Sequence, residues 1–225
     1  MAEILAVLCS FLVWFDVYSL LHAVNRKHSP EWNCRIVTTV HAVITSSLGF
    51  LSVFFFGPWP FNYIGRESNN LHTVVVLISI GYFIFDFAWC IYMRTEAPVM
   101  LAHHFVSTFG LSYVLYSGRY GCDITATLWA SEFTNPLLQL RWFLKRTGNY
   151  FGSKAVILDW TFVTLFMCVR LGLGTAFVFA FLSSPDVDWV AAVGGSGFYL
   201  ISVVFGVQIL FFVYRKYFMS SAGNG

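Results

Sequence analysis

Seven stretches of this chain are apolar for long enough to cross a bilayer, and that limits what it can fold into more than any other feature. They lie at about 3–24, 34–56, 71–93, 99–117, 122–144, 157–182 and 190–214. A helix spans the hydrocarbon core with roughly 20 residues, and it closes its own backbone hydrogen bonds where no water is present. The linkers are short, so residues 1–225 are expected to form one all-α membrane domain without a soluble attachment. Only 11% of the residues are charged, far below the quarter or so usual in soluble domains. The start, MAEILAVLCSFLVW, lacks a basic leader region and is expected to be a mature first span.

The formal charge of +2 and the lack of a basic stripe argue against nucleic acid as a partner, leaving membrane lipids; protein partners are not indicated. The cysteines at 9, 34, 90, 122 and 168 are scattered in or beside apolar segments, which suits neither a disulfide framework nor a CxxC metal site.

Basic residues set the expected orientation. With the N-terminus outside the cytosol, Arg26, Lys27, Arg35, Arg94, Lys145, Arg146, Lys154, Arg215 and Lys216 fall on the cytosolic side, against Arg66 and Arg119 opposite. This bias predicts a lumenal N-terminus and a cytosolic C-terminus.

Against that apolar background, the ionisable groups inside the spans stand out. Such groups are costly in hydrocarbon, so they face inward, pair with one another and often serve function. At about 1.5 Å of rise per residue, Asp86 on the third span and His103 and His104 on the fourth come to similar depth on adjacent antiparallel helices. His41 enters from the same side to comparable depth, while Glu132 and Arg170 lie nearer the midplane. No chargeable group falls clearly in the other half, the pattern of a cavity open to the cytosol.

Helical spacing supports inward faces. Glu132, Asn135 and Gln139 follow i, i+3, i+7, as do Tyr82, Asp86 and Trp89. Pro136 has no N–H, so the carbonyl of Glu132 loses its helical partner and a kink is expected there. Successive helical residues point about 100° apart, so His103 and His104 are not expected to share a metal, and no HxxxH or HExxH pattern is present. Packing alternatives stand beside these functional ones: the histidines could bond neighbouring helices, and Glu132 with Arg170 could be a structural ion pair.

The tandem histidines, followed by Ser112-Tyr113, Arg119, Gly121 and an acidic residue, resemble the TLC domain, shared by ceramide synthases and translocating-chain-associated membrane proteins. The segments GYFIFDFAW, MLAHH and SEFTNPLLQLRWFL extend that resemblance over approximately residues 28–218. It implies a ring of about seven transmembrane helices around a lipid tunnel, in endoplasmic reticulum or other secretory-pathway membranes, and a role in lipid metabolism. In the ceramide synthase pattern, His103 and His104 match the histidine pair, Arg119 and Gly121 the arginine and glycine, and Ser131-Glu132 the final Ser-Asp. The intervening His-Asp is replaced by Leu128-Trp129, which removes two acid–base groups.

Two functions follow as expectations. One is an acyltransferase-like enzyme with His103, His104 and Asp86 as catalytic groups, and Glu132, Asn135, Gln139, Arg170 and His41 lining the substrate site. No metal or cofactor is implied, and acyl-CoA would be the co-substrate. The other is a non-catalytic lipid-binding regulator of membrane composition, or a cargo escort.

Overall fold

The computed structural model describes residues 2–219, and nearly all of them are helical. Helix α1 (Ala2–Val24) is followed by α2 (Pro30–Leu51), which a wide π turn at Ser52–Phe56 prolongs. Next come α3 (Asn70–Met93), α4 (Pro98–Ser117), α5 (Gly121–Glu132) and α6 (Asn135–Arg146). Helix α7 (Gly152–Leu165) runs through a π segment, Phe166–Leu173, into α8 (Gly174–Ser183); α9 (Trp189–Val213) ends in a π turn at Tyr214–Met219.

Among the described residues, six helical runs are long and apolar enough to cross a membrane: Ala2–Val24, Pro30–Phe56, Asn70–Met93, Pro98–Ser117, Gly152–Ser183 and Trp189–Met219. The stretch expected as the fifth span is instead a broken rod, α5 and α6, interrupted at Phe133–Thr134. The break is where Pro136, in the first turn of α6, cannot supply a backbone donor. Both halves lie along α2. Trp129 of α5 approaches Gly49, where an added Cβ would come within 2.7 Å of the Trp129 Cβ. Trp142 and Phe143 of α6 stack near Trp32 at the other end of α2. The pair thus completes the expected set of about seven spanning segments.

The helices close into a ring, in the order α3, α4, α9, α7–α8, α5–α6 and α2, which returns to α3. Helix α1 stands outside, packed on α3 and α2. Its close approach requires Gly81, because a Cβ there would collide with the side chain and backbone of Ser10. The indole N–H of Trp14 donates to the Ile78 carbonyl at 3.0 Å. Large apolar side chains such as Leu12, Phe56, Phe105, Phe179 and Phe211 cover the outer surface, as a hydrocarbon surrounding requires.

The two ends of the ring differ in chemistry. At the basic end, Arg35 bridges Glu31 (3.0 Å) and Glu96 (3.2 Å). At the opposite end, Arg119 donates to the carbonyls of Gly65 (2.9 Å) and Asp186 (2.7 Å), and Arg66 pairs with Asp186 at 3.0 Å. Asp188 caps α9, accepting from Val190 and Ala191 N–H and from the hydroxyls of Tyr113 and Tyr120. Partial burial pushes its carboxyl up, but the Ala191 N–H, the two tyrosine hydroxyls and the Val190 N–H outweigh that and hold it at about 2. Asp123, buried at the start of α5 and bonded to the Gly65 N–H at 3.0 Å, corrects the expectation that this half holds no chargeable group.

Candidate functional site

Helices α3 and α4 form a tight antiparallel hairpin, turned by Arg94 in the left-handed conformation (φ 52°) and restarted by Pro98. The hairpin brings Asp86 and His104 face to face, with Nε2 of His104 3.3 Å from Oδ2 of Asp86. The other carboxylate oxygen accepts from the Cys34 thiol at 3.4 Å. Nδ1 of His104 is buried and has no hydrogen-bond partner. A carboxylate beside Nε2 favours the ring proton there and leaves the imidazole lone pair on Nδ1, the arrangement of a base with a preferred tautomer.

His103 is equally buried but turned the other way. Its ring lies 5.7 Å from that of His104 and against Phe198 (5.4 Å) and Phe205 (5.8 Å) of α9. The roughly 100° between successive helical residues therefore separates the tandem pair into one histidine with a carboxylate and one among aromatic rings.

Across the ring, the face expected to hold Glu132, Asn135 and Gln139 becomes a file of hydrogen bonds. Asn135 Nδ2 donates to Glu132 at 2.9 Å, Gln139 Nε2 donates to Asn135 Oδ1 at 2.9 Å, and Arg35 donates to Gln139 Oε1 at 3.2 Å. His41 closes the file at the deep end, its Nδ1 3.9 Å from Glu132 and its ring stacked on Tyr82 at 3.7 Å. These groups, apart from His41, share with Asp86, His103 and His104 the walls of a cavity of about 640 Å³, whose mouth holds Glu31, Glu96 and Lys145 at the basic end. Burial pushes the Glu96 carboxyl up at that mouth, although Arg35 beside it pulls the other way.

A second cavity, of about 250 Å³, continues toward the opposite end and is walled mainly by apolar residues such as Phe177, Phe181 and Val190. Leu128 and Trp129, which stand where the resemblance has His-Asp, are part of that wall. Ser131 and Arg170 border both cavities. The alternative of a direct Glu132–Arg170 ion pair is not met among the described residues: Asn135 bonds Glu132, and Arg170 Nε is buried without a hydrogen-bond partner. Its guanidinium lies instead between the rings of Phe166 (5.4 Å) and Phe198 (5.7 Å).

Arg119 and Gly121, matched by the resemblance, sit at the far end of the ring. Arg119 serves as a loop clamp, and a Cβ at Gly121 would strike Ser68 Oγ at 2.5 Å. The sequence did not single out Cys34 and Cys90 as neighbours of Asp86. Asp86, Cys90 and His104 offer ligand atoms within 4.8 Å of one another, the one such grouping among the described residues. Asp86 and Cys90 are spaced i, i+4, the signal that could have paired them.

Asp159 was also missed. It is buried on α7, pairs with Arg141 Nε at 2.9 Å, and accepts from Lys216 Nζ (2.7 Å) and the hydroxyls of Tyr217 (2.8 Å) and Tyr150. A lone carboxylate in the apolar run VILDWTF was its signal.

The TLC domain family model matches residues 31–221. Human TLC domain-containing protein 4 is 27% identical over 163 residues, covering 70% of this chain and 61% of that protein. TLC domain-containing protein 4 A of Dictyostelium discoideum is 31% identical over 120 residues, covering 51% and 45%. TLC domain-containing protein 4-B of Danio rerio is 24% identical over 168 residues, covering 70% and 61%. The matched region thus spans less than two thirds of each of these relatives.

Proposed function

Because this chain belongs to the TLC domain family, we propose that it handles membrane lipids by acyl transfer in the cavity at its basic end. The observation that carries this is the His104–Asp86 pair in the wall of a polar chamber that leads into an apolar one. An acyl thioester such as acyl-CoA enters from the cytosol with its chain toward the apolar chamber. His104, oriented by Asp86, takes the proton from an acceptor hydroxyl or amine as that group attacks the thioester carbonyl. The C–S bond breaks, and the departing thiolate takes the proton back from the imidazolium. His103 stands beside it as the second imidazole of the site, and the file from His41 to Gln139 holds the acceptor's polar end.

The basic end faces the cytosol in this reading, the N-terminus is lumenal, and the membrane is endoplasmic reticulum or another part of the secretory pathway. Within the family, the segments GYFIFDFAW, MLAHH and SEFTNPLLQLRWFL resemble TLC domain-containing protein 5 (transmembrane protein 136), and the subgroup rests on those segments. A non-catalytic lipid-binding regulator is the second reading, favoured by the replacement of His-Asp with the apolar pair Leu128-Trp129.

Lipidomics of cells lacking the protein tests the reading. Loss should shift a defined acyl-lipid class, which wild type restores and the His103→Ala/His104→Ala double variant does not. Full rescue by a normally abundant double variant would transfer the case to the regulator. An unchanged lipidome would contradict both.

A further inference from the structure

Among the described residues, Arg170 is the one basic group that borders both cavities, and no carboxylate stands within ion-pair distance of it. Its Nε is buried and unbonded, aromatic rings flank the guanidinium, and Glu132 is occupied elsewhere. Glu132 acts on Arg170 only from beyond ion-pair distance, and a buried guanidinium in mid-membrane with an unbonded N–H is costly, which points to a partner brought by a ligand. Arg170 also lies within the π segment Phe166–Leu173 rather than in regular helix. Widened turns of this kind are frequent at functional positions.

Both neighbours of Arg170 fit an amphiphile. On one side is the polar chamber of His103, which shares the Phe198 ring with Arg170. On the other is the apolar chamber, which extends along α5 from Ser131 to Tyr120. Eleven residues at about 1.5 Å each make that chamber roughly 16 Å long. Tetrahedral C–C bonds of about 1.5 Å advance an extended chain by about 1.3 Å per carbon, so it accommodates about a dozen carbons.

We propose that Arg170 anchors the acyl oxygens of a single-chain lipid, as a fatty acid carboxylate or a thioester carbonyl, with the tail in the apolar chamber. This rests on the acyl-lipid reading above and names how that lipid is held. A guanidinium binds carboxylate oxygens in a planar, two-pronged fashion that a hydroxyl headgroup cannot match. The site therefore selects an acid over an alcohol of equal chain length.

The test is equilibrium binding to the purified full chain in detergent, with dodecanoate, dodecanol and dodecanoyl-CoA as probes. Wild type should prefer dodecanoate to dodecanol by about tenfold or more, the weight of a charge-assisted hydrogen bond, and Arg170→Gln should abolish the preference while still binding both. Dodecanoyl-CoA binding that weakens in Arg170→Gln adds the thioester carbonyl to the anchor's ligands; unchanged binding assigns the anchor to the free acid.

Gly194→Phe gives an independent arm should Arg170→Gln fail to fold. Gly194 lines the apolar chamber with open space where its Cβ would be. Filling it should shift the preferred fatty acid to a shorter chain and leave the acid-over-alcohol preference intact. Equal binding of dodecanoate and dodecanol by wild type would overturn the anchor and leave the acyl-lipid reading standing. No binding of any of the three probes would count against both.

Discussion

His104 and Asp86 meet across the α3–α4 hairpin at 3.3 Å, whereas His103, one residue earlier, meets no carboxylate among the described residues. The two histidines are therefore not equivalent. If Asp86 holds the His104 tautomer, Asp86→Asn should reduce lipid rescue by about 10²-fold or more with little change in abundance. Rescue by Asp86→Asn at the wild-type level, in protein of normal stability, would make the carboxylate a packing group.

The polar file offers a stability test. Asn135→Leu removes the donor to Glu132, a carboxylate that is only 4% exposed. Leaving that acceptor unpaired should cost about 1–3 kcal/mol, read as a lower melting temperature in detergent. An unchanged melting temperature would mean that Glu132 finds another partner.

Among the described residues, Asp159 is the one carboxylate paired with Arg141 and Lys216. Asp159→Leu leaves both cations uncompensated beside the cavity and should cost about 3–5 kcal/mol. Loss of stability well beyond that of Asn135→Leu is the expected order, and the reverse order would mean that α6, α7 and α9 are held together without this cluster.

The opposite end predicts an acid limb. The Asp188 carboxyl is lowered to about 2, so the native state binds fewer protons than the unfolded chain between that value and the ordinary one near 4. The stability it contributes is complete above about pH 4 and is lost as pH falls toward 2. Asp188→Asn should flatten the decline in melting temperature over that range. A parallel decline in both proteins would place the acid sensitivity elsewhere.

Much of this arrangement was legible in the sequence, for identifiable reasons. Depth follows from helical rise, so Asp86 and His104 could be placed level before any coordinates. The i, i+3, i+7 spacing of Glu132, Asn135 and Gln139 likewise became a line of hydrogen bonds. Partners across the ring were harder to place, since rotation of one helix against another is set by packing rather than by spacing. Similar depth, and the need of an intramembrane arginine for a partner, allow a Glu132–Arg170 pair, but Asn135 bonds Glu132 and Arg170 Nε stays unbonded. Cys34 carries no signal as a single apolar-face cysteine, Cys90 carries only its i, i+4 spacing from Asp86, and the partners of Arg119 are loop carbonyls that no spacing indicates.

The central claim is that His104 is the acid–base group of a lipid acyl transfer. The most direct measurement is lipid rescue in cells lacking the protein, by His104→Gln at confirmed normal abundance and thermal stability. Glutamine keeps much of the size and polarity of histidine but does not titrate near neutrality. The account predicts that rescue falls by about 10²-fold or more with His104→Gln. Full rescue by well-folded His104→Gln would contradict it.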